Sequence, residues 1–337
     1  MGDVVNFLMK SNRQLDFVAW SGPDRNRAGR FTFLLGLSLL LATQASAQTQ
    51  SPATTVQTFP VGNAPFGVIS AGADIWVANR SDNTVTKLRA TDGALLGTFP
   101  TGDFPIHLAF DGGNIWVTNS LAATVTKLRE SDGALQGTFG VGSSPLGIVF
   151  DGTNIWVGNN YTNNVTELRA SDGALLGTFG AKRGPSGIAF DGTNIWVACF
   201  DDKDLVELDG NTGALLGSTR VGVDPNAVTF DGTNLWVTQY YFQGTATSVL
   251  ASSGRKRRVV EVDPFPFDIT FGGASLWVTS YDTQMAGSGT VDQLKLPQGR
   301  LIFRYPVVSA SGVAFDGRSV WVTSATLNTV TKITKSP

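Results

Sequence analysis

The chain has 337 residues, of which 25 are basic and 27 acidic, so its formal net charge at pH 7 is −2. Its 39 glycines, with a single histidine and a single cysteine, are typical of a turn-rich β protein rather than a helical one. An acidic chain has no bulk attraction for nucleic acid, and one cysteine cannot form an internal disulfide.

The first 47 residues differ in composition from the rest. Arg25, Arg27 and Arg30 precede an apolar run over 31–42, and Ala-Ser-Ala follows at 45–47. This order predicts a cleaved secretory signal peptide over 1–47, followed by a short linker over 48–53. An uncleaved membrane anchor is the alternative, but twelve apolar residues are short for a bilayer. We therefore expect an exported protein, periplasmic or extracellular.

A repeat of about 40 residues occupies the chain from Pro65 onward. Seven tryptophans, one in each repeat, recur at this spacing. They are Trp76, Trp116, Trp156, Trp196, Trp236, Trp277 and Trp321. Each tryptophan stands between Ile, Leu or Val residues, so we assign the set to packing between repeats rather than to a ligand platform.

Each repeat contains four short runs with strand chemistry, separated by turn residues. In one unit we expect strands at about 186–190, 195–199, 204–209 and 214–221. Four antiparallel strands per period predict a blade, and seven periods predict an all-β, seven-bladed β-propeller over 54–337. The last repeat stops after its third strand, whereas residues 54–62 match a fourth strand. The N-terminal segment should therefore complete the last blade, beside 329–334.

The motif Ile-Trp-Val-Thr-Asn-Ser at 115–120, with Thr-Val-Thr-Lys-Leu at 124–128, resembles the YVTN family of β-propeller repeats. The chain is also similar to the propeller of the streptogramin (virginiamycin B) lyases. That resemblance implies a shared fold. The lyases use paired histidines with a glutamate and a magnesium ion, and His107 is the only histidine here. The resemblance therefore does not imply shared catalysis.

Functional residues are best sought where the repeats deviate. The third position of the repeat carries small residues in five units, but His107 in the second and Asp268 in the sixth. In a seven-bladed ring these two would face each other across the channel. They predict either a polar ligand or ion site, or two hydrogen-bonded channel residues without a ligand.

The loops between the second and third strands deviate in the fourth to sixth repeats. Aromatic residues stand there next to carboxylates, and basic residues precede the fourth repeat. The candidate ligand-binding residues are Phe200, Asp201, Asp202, Tyr240, Tyr241, Phe242, Tyr281, Asp282, Lys182 and Arg183. They predict either a binding patch or a simple cover for the channel rim.

Three further features can each be interpreted as functional or as purely structural. Asp201, Asp202 and Asp204 could form a calcium site, but they lack the EF-hand pattern. We therefore interpret them as solvated charges on a loop. Cys199 fits a packing residue better than a nucleophile. The basic run 255–258 is expected at the turn before the last strand of the fifth repeat. It predicts either a contact with an anionic polymer or a solvated hairpin tip.

These observations predict a non-enzymatic binding scaffold, monomeric, presenting its variable loops to a protein, peptide or carbohydrate. A metal-assisted lyase or hydrolase at the channel mouth, using His107 or Asp268 as base, is the alternative and would need a divalent cation. A surface-layer or adhesion module is a third possibility.

Overall fold

In the computed structural model, residues 54–281 and 288–335 are described. The signal peptide, the linker and Asp282 lie outside these ranges. The described residues form 28 β-strands and no helix, so no helix that could cross a membrane occurs among them.

The strands follow the predicted order of four per repeat. In chain order the first half comprises β1 (Thr54–Pro60), β2 (Pro65–Ala71), β3 (Asp74–Asn79), β4 (Thr84–Arg89), β5 (Leu95–Pro100), β6 (Pro105–Phe110), β7 (Asn114–Asn119), β8 (Thr124–Arg129), β9 (Leu135–Gly140), β10 (Pro145–Phe150), β11 (Asn154–Asn159), β12 (Asn164–Arg169), β13 (Leu175–Gly180) and β14 (Pro185–Phe190). The second half comprises β15 (Asn194–Cys199), β16 (Asp204–Asp209), β17 (Leu215–Arg220), β18 (Pro225–Phe230), β19 (Asn234–Gln239), β20 (Thr245–Leu250), β21 (Arg255–Glu261), β22 (Pro266–Gly272), β23 (Ser275–Ser280), β24 (Thr290–Lys295), β25 (Arg300–Pro306), β26 (Ala310–Phe315), β27 (Ser319–Ser324) and β28 (Thr329–Lys335).

The strands form seven antiparallel sheets of four, which are the blades of a β-propeller. Blades one to six are consecutive, from β2–β5 to β22–β25, and blade seven consists of β26, β27, β28 and β1. The first strand of each blade is innermost. β2 packs against both β6 and β26, so the ring of innermost strands is closed.

The predicted closure by the N-terminal strand is confirmed. β1 pairs with β28 in antiparallel register, with Thr54 opposite Lys335 and Pro60 opposite Thr329. Phe59 of β1 lies against Trp321, with ring centroids 5.7 Å apart. The equivalent pair in blade one, Phe99 and Trp76, is separated by 5.4 Å. The N-terminal segment therefore repeats the packing of an ordinary fourth strand.

The predicted role of the tryptophans in packing is also confirmed, because all seven are at most 4% exposed. Each packs into a core cluster between its own blade and the next, as Trp76 does with Leu108 and Ile115. In five blades the indole Nε1 donates to an aspartate in the preceding turn, for example Trp196 to Asp191 at 2.7 Å. Blade one has Ala71 in place of this aspartate, and Nε1 of Trp76 has no hydrogen-bond partner.

Two faces of the propeller can now be distinguished. The mouth face carries the loops between second and third strands, such as 80–83, and the loops that lead into first strands, such as 61–64. The turn face carries the turns between first and second strands, such as 111–113, and between third and fourth strands, such as 130–134. Functional candidates occur on both faces.

Candidate functional site

Close contact between innermost strands explains the small residues at the third position of the repeat. A Cβ atom on Gly67 would lie 2.4 Å from the carbonyl oxygen of Ile106, and one on Gly312 would lie 2.3 Å from that of Phe66. Real Cβ atoms do not approach backbone so closely, so a larger residue at Gly67 or Gly312 would require the neighbouring strand to shift. His107 and Asp268 therefore break a packing rule of the innermost ring.

Asp268 is tied to its neighbouring blade. Its Oδ2 accepts a hydrogen bond from the backbone N–H of Val313 in blade seven at 3.0 Å. Its Oδ1 accepts one from the N–H of Ile269 at 2.8 Å. Burial raises the pKa of Asp268 to about 6, although both hydrogen bonds act in the opposite direction. This carboxyl group links two blades and is poised to titrate in mildly acidic solution.

His107 has an apolar environment. Its imidazole lies edge-on to the ring of Phe66, with centroids 5.6 Å apart. Burial lowers the pKa of His107 to about 4, so the imidazole is neutral at pH 7. No hydrogen bond or ion pair joins His107 to Asp268 within the described ranges, and burial rather than the other group causes each shift. The structure places both on the innermost ring without joining them.

An aromatic cluster that the sequence analysis missed lies at the mouth-face ends of the innermost strands. Phe66 of blade one and Phe267 of blade six meet edge-to-face at 5.1 Å, although blade seven stands between their blades. Tyr240 of blade five joins them, 5.8 Å from Phe267 and 5.6 Å from Phe265. Three blades therefore contribute rings to one contact chain, which extends to His107 through Phe66.

Arg80 covers this cluster and was also missed. Its guanidinium lies 5.0 Å from the ring centroids of both Phe66 and Phe104, a cation–π arrangement. Its Nε is buried and has no hydrogen-bond partner. Burial lowers the pKa of Arg80, while Tyr281 acts in the opposite direction. The sequence does mark this position as variable, because the residue directly after the second strand is the same in only two of the seven blades. In chain order these residues are Arg80, Ser120, Asn160, Phe200, Tyr240, Tyr281 and Ala325.

The loop of blade five presents aromatic side chains in two ways. Tyr240 is only 8% exposed and supports the loop from within the cluster. The rings of Tyr241 and Phe242 contact each other with centroids 4.2 Å apart and planes inclined by 46°, and Phe242 is 55% exposed. Tyr241 and Phe242 therefore form the accessible surface of this loop, and Tyr240 does not.

The loop of blade four pairs its acidic side chains with basic ones. Arg183 donates from Nε and from its backbone N–H to Asp202, at 2.9 and 2.7 Å. These bonds, with the charge of Arg183, lower the pKa of Asp202. Lys182 donates to Asp204, whereas Asp201 is exposed. Within the described ranges no group of three or more His, Cys, Asp or Glu residues is arranged to hold a metal ion.

The remaining candidates lie in several environments. Phe200 and Tyr281 are half-buried on the mouth face. Cys199 is fully buried, and burial raises the pKa of its thiol to about 12, which suits a packing residue. The basic run does not form a hairpin tip as predicted. Arg255 to Arg258 lie within strand β21, with all four side chains exposed.

Comparisons with known proteins show the fold alone. No protein-family model and no curated protein matches the chain. A solved structure titled Kuenenia stuttgartiensis Hydrazine Synthase is similar with a TM-score of 0.68 and 16% identity, covering 81% of this chain and 96% of that one. A second, titled Structure of U3-55K, has a TM-score of 0.70 and 11% identity, covering 83% and 98%. At such identities neither structure assigns a function to this chain.

Proposed function

We propose that the protein is an exported, non-enzymatic binding propeller that presents mouth-face loops of blades four to six to a protein, peptide or carbohydrate ligand. The observation that carries the proposal is the contacting pair of aromatic rings of Tyr241 and Phe242, with Phe242 55% exposed. Exposed aromatic pairs of this kind supply large, rigid contact area at a small loss of conformational entropy on binding.

The surroundings of this pair favour recognition of a ligand at the rim. Phe66, Phe267 and Tyr240 form a continuous chain of ring contacts on the same face, so we expect a ligand to rest on the rim. Tyr240 holds the blade five loop against this cluster, which preorganises the two accessible rings. The Arg183–Asp202 pair on the neighbouring loop would supply a polar border.

The test is a direct binding measurement with defined probes. Isothermal titration of the purified protein against neutral oligosaccharides and a library of short peptides should find at least one probe that binds. Replacing both Tyr241 and Phe242 with Ala should weaken that binding tenfold or more, because the aromatic contact surface is removed. Tyr161→Ala is the matched control, since Tyr161 is an exposed aromatic residue on the equivalent loop of blade three.

Two outcomes would contradict the proposal. Either no probe binds, or the double variant binds as tightly as the Tyr161→Ala control while retaining the wild-type melting temperature. Export is tested separately by sequencing the N-terminus of the protein recovered outside the cytoplasm. A mature chain starting at Gln48 is expected, and a retained N-terminus would refute signal cleavage.

A further inference from the structure

The outer strand of blade five departs from the repeat at two positions. In blades one to four the fourth strand carries a glycine, for example Gly97 opposite Lys87. Blade five has Arg258 at this register position, opposite Ser248. Two residues further on, the phenylalanine found in blades one to three is replaced by Val260, opposite Ala246.

The phenylalanine of an ordinary blade fills space between that blade and the next. In blade one, a Cβ atom on Gly97 would lie 2.6 Å from the ring of Phe99. The same ring covers the next blade's turn, where a Cβ on Gly133 would lie 2.1 Å from it. The smaller Val260 of blade five covers less of the corresponding space.

A groove lies between blades five and six on the turn face, at the place where the phenylalanine is missing. Its volume is about 460 Å³, within the range of pockets that hold small molecules. Arg257 and Arg258 line one side, and Phe271 and Pro297 of blade six line the other, with Trp236 between them. Phe271 is 37% exposed, so an accessible aromatic surface shares the groove with two arginine side chains.

The two arginines are available for a ligand. Within the described ranges neither forms an ion pair, whereas Arg183 and Arg304 are each paired with aspartate. One carboxylate, that of Asp231, also lines the groove. It is already engaged, accepting from Nε1 of Trp236 at 2.7 Å and from the N–H of Asn234 at 2.6 Å. Two guanidinium groups against one carboxylate leave the groove with a net positive charge.

We propose that this groove binds an acidic sugar, a pyranose ring that carries a carboxylate or sulfate group. The guanidinium forks of Arg257 and Arg258 would hold the anionic group through paired hydrogen bonds. The exposed ring of Phe271, with Pro297, would pack against the face of the sugar. Arg255 and Lys256 extend the positive charge along the same strand, which suits further acidic units of an oligosaccharide. Nucleic acid fits less well, because the chain is acidic and a phosphate backbone needs a broader basic surface.

This site is independent of the proposed function, because it lies on the turn face, at the other ends of the strands from Tyr241 and Phe242. The test measures binding of three oligosaccharides of equal length by isothermal titration in low salt. They are an oligogalacturonate, a sulfated dextran and a neutral dextran. Both acidic probes should bind and the neutral one should not, and the stronger acidic probe identifies whether carboxylate or sulfate is preferred.

Matched variants locate the binding. Arg257→Gln with Arg258→Gln and Arg255→Gln with Lys256→Gln remove the same charge from the same exposed strand, but only the first pair lines the groove. The first double variant should weaken binding at least tenfold, and the second less than threefold. Arg258→Lys should weaken it by an intermediate factor, because charge is kept while the planar fork is lost.

Four results would overturn the proposal. They are no binding of either acidic probe, equal binding of neutral dextran, equal losses in the two double variants, and tighter binding of a DNA oligonucleotide. Equal losses would indicate diffuse attraction to the strand rather than recognition in the groove. Melting temperatures of both variants within a few degrees of wild type exclude unfolding as the cause of any loss.

Discussion

Replacing Phe59 with Ala tests ring closure at one side chain. Phe59 lies in β1, which no loop connects to the rest of blade seven. Its ring packs on Trp321 with centroids 5.7 Å apart. It also covers the blade one turn, where a Cβ on Gly93 would lie 2.2 Å from it. The substitution therefore removes packing both within blade seven and between blades seven and one.

The expected loss follows from burial. A fully buried phenylalanine contributes about 3–5 kcal/mol relative to alanine. Phe59 is only half-buried, so we expect the free energy of unfolding to fall by about 2–3 kcal/mol. Urea unfolding followed by tryptophan fluorescence measures this change, with an unaltered slope indicating that the unfolded state is the same.

Two controls define the result that would refute the reasoning. Val56→Ala lies in the same strand at a 58% exposed position and should change stability by less than about 0.5 kcal/mol. Phe99→Ala removes the equivalent contact from blade one, where the ring lies 5.4 Å from Trp76, and should be at least as damaging as Phe59→Ala. If Phe59→Ala behaves like Val56→Ala, the N-terminal strand does not complete the blade in solution.

Four further measurements test particular residues. NMR titration of His107, the only histidine, should give a pKa near 4, because burial disfavours the charged imidazole; a value near 6.5 would refute that burial. Since burial raises the pKa of Asp268 to about 6, the native state takes up a proton that the unfolded state does not. Wild type should therefore gain stability relative to Asp268→Asn as pH falls from 6 to 4, and a constant difference in urea midpoint would contradict this. Asp191→Ala should lower the free energy of unfolding by about 1–3 kcal/mol, because Nε1 of Trp196 loses its charged acceptor; an unchanged urea midpoint would count against this. The thiol of Cys199 should resist an aromatic disulfide reagent at pH 8 until urea is added, and rapid reaction of the native protein would show that it is not buried.

The blade architecture was predictable because each strand is specified locally. Residues 204–209 were expected as a strand and form β16 over the same residues, and the other three strands of that blade agree within one or two residues at each end. Asp191 fixes the preceding turn by accepting N–H bonds from Thr193 and Asn194, as the Asp-Gly-Thr-Asn sequence indicates. Sequence patterns that lie within four or five residues specify the same strand or turn whatever the rest of the fold is.

The mouth cluster could not be predicted, because it depends on where the closed ring brings distant blades. Phe66 and Phe267 meet over blade seven only because that blade carries small residues at its own positions, such as Ser311. Tyr240 looked like a surface aromatic in sequence, and its burial follows from contact with Phe265 and Phe267. Contacts across the axis have no fixed spacing along the chain.

The basic run was misplaced for a different reason. Four consecutive cations suggest a solvated tip, since a strand usually alternates polar and apolar residues. The outer strand of a blade has little to cover it, so β21 tolerates charge at every one of these positions. A register shift between Ser248 and Val249 leaves Arg257 without a paired partner. This bulge places Arg257 and Arg258 together along the groove.

Lysine ties between neighbouring blades are unevenly distributed around the ring. Lys332 of blade seven donates to the carbonyls of Ala90 and Thr91 in blade one, at 2.7 and 2.9 Å. Lys87 and Lys127 make the same tie from blades one and two to the blades that follow them. Blade five has Ser248 at this position, which cannot reach a neighbouring turn as a lysine does. Blade four also lacks both the lysine and the covering phenylalanine, with Glu207 and Thr219 at these positions. The loops that carry Phe200, Tyr241 and Phe242, and the basic strand β21, belong to these two blades, where neither tie constrains the repeat.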